Sequence, residues 1–410
     1  MFKRNRRLIK KLAVAFVVVI VYIIGQNIMV PYVRVDEAEP LVNQTFVQML
    51  QAINGSRQAV SVFSLGIMPY MMASILLMLK NLGKSDKKRI SVISPKKQAK
   101  ILTLFICMVM AFLRTAEFEY TQFLLGSAVV SRLFAMLVLI AGVFGIIWLT
   151  EVNTGDGIGG MSLIIIVNIM KNIIRNVLKI WSGFESGVYG SRKDICQIAV
   201  LVLIGLISMI MLMLFEKAEF RIPVQKVMIY NEMSEDNYMA FKLNPVGMQP
   251  MMYVMAFYII PFYLFSILIS LFPGRRFLVL LAEGVQLDHF TGLALYLILY
   301  FLLALALAMV ELSPSDLAEE MQKSGDCIIG LRPGRETQDY FKTVVLRLTV
   351  FSCIVLGGLI ALPMLLRIIW GLPQEMTMIP MSLMFIGGIS RNISLEIKTV
   401  SRLDSYQEVL

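Results

Sequence analysis

Ten apolar stretches punctuate the chain, near residues 12–31, 61–80, 99–116, 132–150, 161–177, 196–215, 248–272, 289–310, 343–366 and 374–394. An α-helix rises about 1.5 Å per residue, so roughly 20 residues cross the hydrocarbon core of a bilayer. Each stretch therefore predicts a membrane-spanning helix. The second stretch, SVFSLGIMPYMMASILLMLK, departs from the others. It carries Gly66 and Pro69 near its start, and both are poor residues for a regular helix. A lipid-facing helix gains nothing from such a break, because freed backbone groups find no water there. A helix lining a water-filled path tolerates it. The segment points to a membrane protein with an interior route.

Composition sharpens this picture. Of 410 residues, 58% are hydrophobic and only 16% charged, with a mean hydropathy of +0.75. A soluble domain of this length is not so apolar. The first apolar run follows MFKRNRRLIKK and ends in GQNIMVP, without a small-x-small cleavage pattern, so it reads as a retained helix rather than a signal peptide. With the N-terminus inside, most of the 38 Lys and Arg fall on inner segments, as the positive-inside rule expects. Both termini are then cytoplasmic. One exception is the fifth-to-sixth connection and its flank, with Lys171, Arg175, Lys179, Arg192 and Lys193. The net charge of +10 is read as facing the anionic inner leaflet, not nucleic acid.

The segments between spans are unequal. Residues 32–60 form an outer segment whose second part, QTFVQMLQAINGSRQAV, has the makings of a short amphipathic helix. It reads either as an external loop or as a helix folded back into the interior path. Two long inner segments, 216–247 and 311–342, lie on one face and read either as solvated connections or as a docking surface. Ten spans divide into five and five, although no residue-by-residue repeat relates the halves.

Several chemistries are set aside by context. TGDGIGG holds Gly155, Gly157 and Gly160 at dinucleotide-fingerprint spacing, but membrane spans flank it where a strand and a βαβ unit are required. It reads as a tight inner turn. Intramembrane proteolysis needs His pairs or two Asp at bilayer depth. His289 is the one histidine, and Asp156 has no partner. Cys107, Cys196, Cys327 and Cys353 show neither metal-ligand spacing nor a disulfide framework. Ion-coupled transporters hide ionisable residues in their spans. Here Lys80, Glu151, Lys171 and Arg391 are placed at span ends, and the interiors carry Met, Ile, Leu and Phe. The 29 Met include those of IMPYMM and MQPMMYVM. Methionine adapts to irregular partners, which suits a route that seals when idle and tolerates varied side chains when open. No catalytic constellation, metal site or cofactor motif is found.

LGIMPYMMASI at 65–75, GIGGMSLII at 157–165, FEKAEFRIPVQ at 215–225 and KSGDCIIGLRPGRET at 323–337, followed by LRLTV at 346–350, resemble in order the motifs of the SecY family, the central subunits of protein-conducting channels. The resemblance covers nearly the whole chain. A short length, a GIGGMS turn one residue shorter than usual and the absence of a basic run in 226–241 resemble the branch serving the accessory secretion system of Gram-positive cocci, which exports serine-rich glycoproteins.

The resemblance implies an all-α polytopic membrane protein with ten transmembrane helices in two five-helix halves around a central pore. The halves are 1–177, with a plug near 44–59, and 178–410, with cytosolic loops 216–247 and 311–342. It implies a pore ring of Ile67, Met71, Met161, Ile165, Met252 and Phe385. It implies a lateral gate between the second and third and the seventh and eighth spans, with Asn244 at a polar gate position and Met78 where the family often has Gln. Arg221 and Arg332 would face the motor. The implied partners are a SecA-type motor ATPase, SecE- and SecG-type small membrane subunits, a secretory preprotein and membrane lipid. No enzyme activity of its own is implied. The competing reading from the residues is a secondary transporter or lipid flippase of another ten-helix class, which needs a compact polar site at mid-membrane.

Overall fold

The computed structural model describes residues 6–34, 61–80, 95–116, 118–120, 127–186, 192–225, 238–272, 276–287 and 289–406. The plug segment expected at 44–59 lies outside them. Each of the ten apolar stretches lies mostly on its own helix. These are α1 (Arg6–Asn27), α2 (Met68–Lys80), α3 (Pro95–Ala116), α4 (Ala128–Asp156), α5 (Gly160–Glu185), α6 (Arg192–Lys217), α7 (Gln249–Leu271), α9 (Phe290–Leu312), α11 (Arg335–Trp370) and α12 (Gln374–Tyr406). Two short helices, α8 (Arg276–Gly284) and α10 (Pro314–Ser324), lie between them. Without water to bond, an apolar segment must satisfy its backbone internally, and the helix does so. Seven helices among the described residues are long and apolar enough to cross a membrane. Large side chains such as Phe16, Leu137, Ile174, Trp181 and Ile354 stand exposed along them, as a lipid-facing surface requires.

The helices outrun the apolar windows. α11 has 36 residues and α12 has 33, because their polar flanks remain good helix formers. α5 continues to Glu185, so the division expected at 177/178 falls inside an unbroken helix.

α2 is the opposite case. It has 13 residues, about 20 Å of rise, which is too little to cross alone. Residues 61–67 before it are turns, and Gly66 takes φ +61°, a left-handed conformation natural to glycine. Pro69 falls in the first turn of α2, where a missing N–H costs nothing. The irregular backbone is not left open. The Val62 N–H donates to the Ile28 carbonyl at 3.0 Å, Ser64 to Ser61 at 3.0 Å and Gly66 to Phe63 at 3.0 Å. The segment is wrapped in protein, with Ser61, Leu65 and Ile67 buried.

α6 packs along α12, α9 along α11, and α5 against both α4 and α12. α2 packs on α3 and also reaches across to α7 and α9. That seam joins the two halves. One continuous apolar core runs through the centre.

The two long inner segments are not separate connections. β3 (Glu219–Gln225) pairs antiparallel with β4 (Tyr238–Lys242) and also with β5 (Cys327–Ile328), in the order β4-β3-β5. Val224 sits opposite Ile328 and Gln225 opposite Cys327. Ile222 and Val224 alternate inward along β3, as a half-buried strand does, and join Phe241, Met321, Ile328 and Phe341 in a small second core. A further two-stranded pair, β1 (Val33–Arg34) with β2 (Glu119–Tyr120), lies at the other end of the molecule.

A Cβ at Gly142 of α4 would sit 1.9 Å from the Val62 carbonyl oxygen, a backbone atom that cannot yield without moving the 61–67 turn. Gly142→Ala is expected to destabilise the protein by about 1–3 kcal/mol. Thermal unfolding in detergent, compared with Gly358→Ala, where a Cβ meets open space, checks this.

Candidate pore and cytosolic face

Ile67, Met71, Ile165 and Phe385 are buried members of the central core, and Met161 and Met252 are half-buried side chains packed on it. The core is large, so membership alone does not make a ring. Level decides. The Gly159 N–H donates to Glu396 Oε2 at 2.8 Å, and Ile393 lies against Gly159. The start of α5 is thus level with Ile393–Glu396 of α12. Phe385 lies about 12–16 Å up α12 from there, at 1.5 Å per residue. The same rise along α5 reaches residues 167–170. Ile169, only 1% exposed and in the same core, stands at the level of Phe385. Ile165 is one turn below. Met161, in the first turn of α5, lies roughly 10 Å below that level. Helical spacing carried the signal for Ile169, one turn beyond Ile165 on the same face.

Met248 lies against Gly388, three residues from Phe385. Met252 is one turn farther up α7, which brings it to Phe385. Ile67 and Met71 enter from the broken end of α2. α5, α7 and α12 thus bring Ile169, Met252 and Phe385 to one level, and α2 adds Ile67 and Met71 to the same apolar core.

The expected gate positions lie below. Met78, half-buried on α2, packs with Tyr253 against Val246, Leu307, Ala308 and Val345. This apolar patch joins α2, α7, α9 and α11. Asn244, 4% exposed, precedes α7. Its Oδ1 accepts a hydrogen bond from Ser352 Oγ of α11 at 2.9 Å, while its buried Nδ2 has no partner among the described residues.

Arg221 and Arg332 both belong to the three-stranded platform. Arg221 points outward from β3, with its guanidinium 4.4 Å from the centre of the Tyr238 ring, a cation–π arrangement. Arg332 sits in a turn between Gly330 (φ +85°) and Gly334 (φ +114°). Its N–H donates to Glu336 Oε2 at 3.2 Å, and its carbonyl accepts from Thr337 Oγ1 at 2.9 Å. The backbone is held at both ends, and the side chain is exposed.

The expectation that Lys171 sits at a span end does not match the helix, which continues to Glu185. α5 runs on, so Lys171 lies about 17 Å into the helix. Its ammonium donates to Gln26 Oε1 of α1. Among the described residues, no three His, Cys, Asp or Glu side chains gather as a metal site.

The SecY family model matches residues 61–395. The chain belongs to the SecY family. An accessory Sec system protein translocase subunit SecY2 of Streptococcus agalactiae is 28% identical over 369 residues, covering 89% of this chain and 86% of that one. One of Streptococcus pneumoniae is 28% identical and covers 98% of both chains. Among solved structures, one titled "The structure of a protein conducting channel" superimposes with a TM-score of 0.67 at 17% identity, covering 96% of this chain and 93% of that one. The fold is therefore that of the SecY family: a mostly helical, multi-pass membrane protein.

In this SecY-family chain Asn244 is legible in the sequence, but its partner Ser352, 108 residues away, is not. Ser352→Ala strands a buried amide and is expected to cost about 1–3 kcal/mol. A lowered unfolding midpoint in detergent, restored by Ser352→Thr, is the expected result.

Proposed function

We propose that this protein is the central pore-forming subunit of a channel that exports polypeptides across the cytoplasmic membrane. What supports this reading most directly is a SecY-family fold in whose central apolar core Ile67, Met71, Ile165, Ile169, Met252 and Phe385 meet. A narrow apolar constriction expels water, and a dry passage blocks ions. Long, unbranched Met side chains then close around a passing chain of varied shape. The seal persists during transport.

In this reading the protein is a passive conduit with no enzymatic activity of its own. Both termini are cytoplasmic, as the charge asymmetry indicates. The seam between α2 and α3 on one side and α7 and α9 on the other is the lateral gate. Met78 makes its patch more apolar than a glutamine would, which raises the hydrophobicity a signal sequence needs to open it. The three-stranded platform receives a SecA-type motor through Arg332 and Arg221, and SecE- and SecG-type small subunits brace the helices. Resemblance to accessory-system relatives supports an accessory exporter whose cargo is serine-rich glycoprotein.

Two outcomes test this. Ile67→Ser with Met71→Ser wets the constriction and is expected to raise ion conductance of reconstituted bilayers by roughly tenfold or more. Unchanged conductance contradicts the seal. Arg332→Glu is expected to block export while the protein still inserts and folds, and normal export by that variant contradicts the motor contact.

A further inference from the structure

Polar side chains of α1 and α5 meet inside the membrane, beside the apolar core. Tyr22 and Gln26 stand one turn apart on α1 and are 0% and 7% exposed. Asn168 of α5, 1% exposed, is the neighbour of Ile169, which is level with Phe385. Gln26 Nε2 donates to Tyr22 Oη and to Asn168 Oδ1, each at 2.7 Å. Tyr22 Oη in turn donates to Asn168 Oδ1 at 3.0 Å. These bonds close a ring. Lys171 completes it by donating to Gln26 Oε1, so both ends of that amide are bonded. At about 100° per residue, Asn168 is turned roughly 60° round α5 from Ile165, and Lys171 roughly 120° in the same direction. That side of α5 is the one α1 covers.

Buried polar groups are costly, and apolar side chains of similar volume hold helices together as well or better. What a closed polar ring adds is fixed geometry, since each bond works only near one distance and angle. Phe63 makes use of that geometry. Its ring lies on the Tyr22 ring, with centroids 5.8 Å apart and planes 16° apart. It fills a slot between α1 and α4. A Cβ at Gly25 would sit 2.1 Å from Phe63 Cε2, and one at Gly145 3.5 Å from Cε1. Phe63 belongs to the non-helical run that ends at Ile67. Asn168 is therefore linked to the constriction twice, along α5 to Ile165 and Ile169, and through Tyr22 and Phe63 to Ile67 and Met71.

We propose that Asn168 is a positioning residue of the seal. Its hydrogen-bonded ring with Tyr22 and Gln26 fixes the aromatic face on which Phe63 rests, and so holds Ile67 and Met71 against α5. The inference rests on the channel reading. When the ring breaks, Phe63 gains freedom and the idle seal loosens, while the helices stay packed.

The test uses full-length protein in planar bilayers with no exported chain present. Tyr22→Phe deletes one hydroxyl and keeps the face under Phe63. Asn168→Leu removes the acceptor that Tyr22 and Gln26 share. Each is expected to raise idle ion conductance about fivefold, the shift that one lost buried hydrogen bond gives a two-state equilibrium. The two together should add little to Asn168→Leu alone, because both break one ring. Leu201→Ala, in a separate apolar cluster with Ile180, Leu372 and Met376, is the control for lost stability. It should lower the unfolding midpoint and leave conductance at the parent level. Ile67→Ser with Met71→Ser is the control for an open seal. Parent-level conductance in Tyr22→Phe and Asn168→Leu, with the serine control leaking, overturns the positioning role alone. An equal leak from Leu201→Ala makes the ring merely structural and also overturns it. A silent serine control overturns the channel reading, and the positioning role with it. If Asn168→Leu fails to insert, Tyr22→Phe decides by itself.

Discussion

The rest of the structure depends on one constraint: residues 61–67 lie in the apolar interior without being a helix. Backbone groups there must be bonded and covered by protein. The end of α1 supplies an acceptor at Ile28, and Phe63 stacks on the Tyr22 ring with centroids 5.8 Å apart. α4 leaves room at Gly142, directly against the Val62 carbonyl. With those neighbours in place the turn delivers Ile67 and Met71 to the middle of the molecule. A continuous helix would have run past the centre and sealed the halves to each other.

α11 links this interior to the cytosolic face. Phe341 belongs to the core of the three-stranded platform. Val345, one turn on, packs in the seam with Met78. Ser352, two turns farther, holds Asn244 beside α7. A single helix therefore carries the three-stranded platform at one end and touches both the Met78 patch and Asn244. Packed side chains and one hydrogen bond, not loops, connect the platform to that seam.

Much of this was legible in the sequence because the bilayer leaves few choices. Ten apolar runs became helices, and the Gly66–Pro69 break became a break. Helix ends were not legible, since polar residues such as those after Ile389 continue α12 without the bilayer's help. Likewise the helix that holds Lys171 runs on to Glu185. The platform was hidden for another reason: Gln225 and Cys327 pair across 102 residues, and no local pattern announces a two-residue strand. Motif order points to Met161, whereas the contact of Gly159 with Ile393 puts Ile169 at the level of Phe385; both side chains belong to the central apolar core.

The central claim is that a polypeptide threads the constriction of Ile and Met side chains. The direct measurement is photo-crosslinking from a stalled export intermediate to probes placed singly at Ile67, Met71, Ile165, Ile169 and Met252, with Ile174 and Trp181 on the lipid face as references. The account predicts adducts at the five interior positions and none at the two references. Adducts absent from the interior set, or equal at both sets, would contradict it.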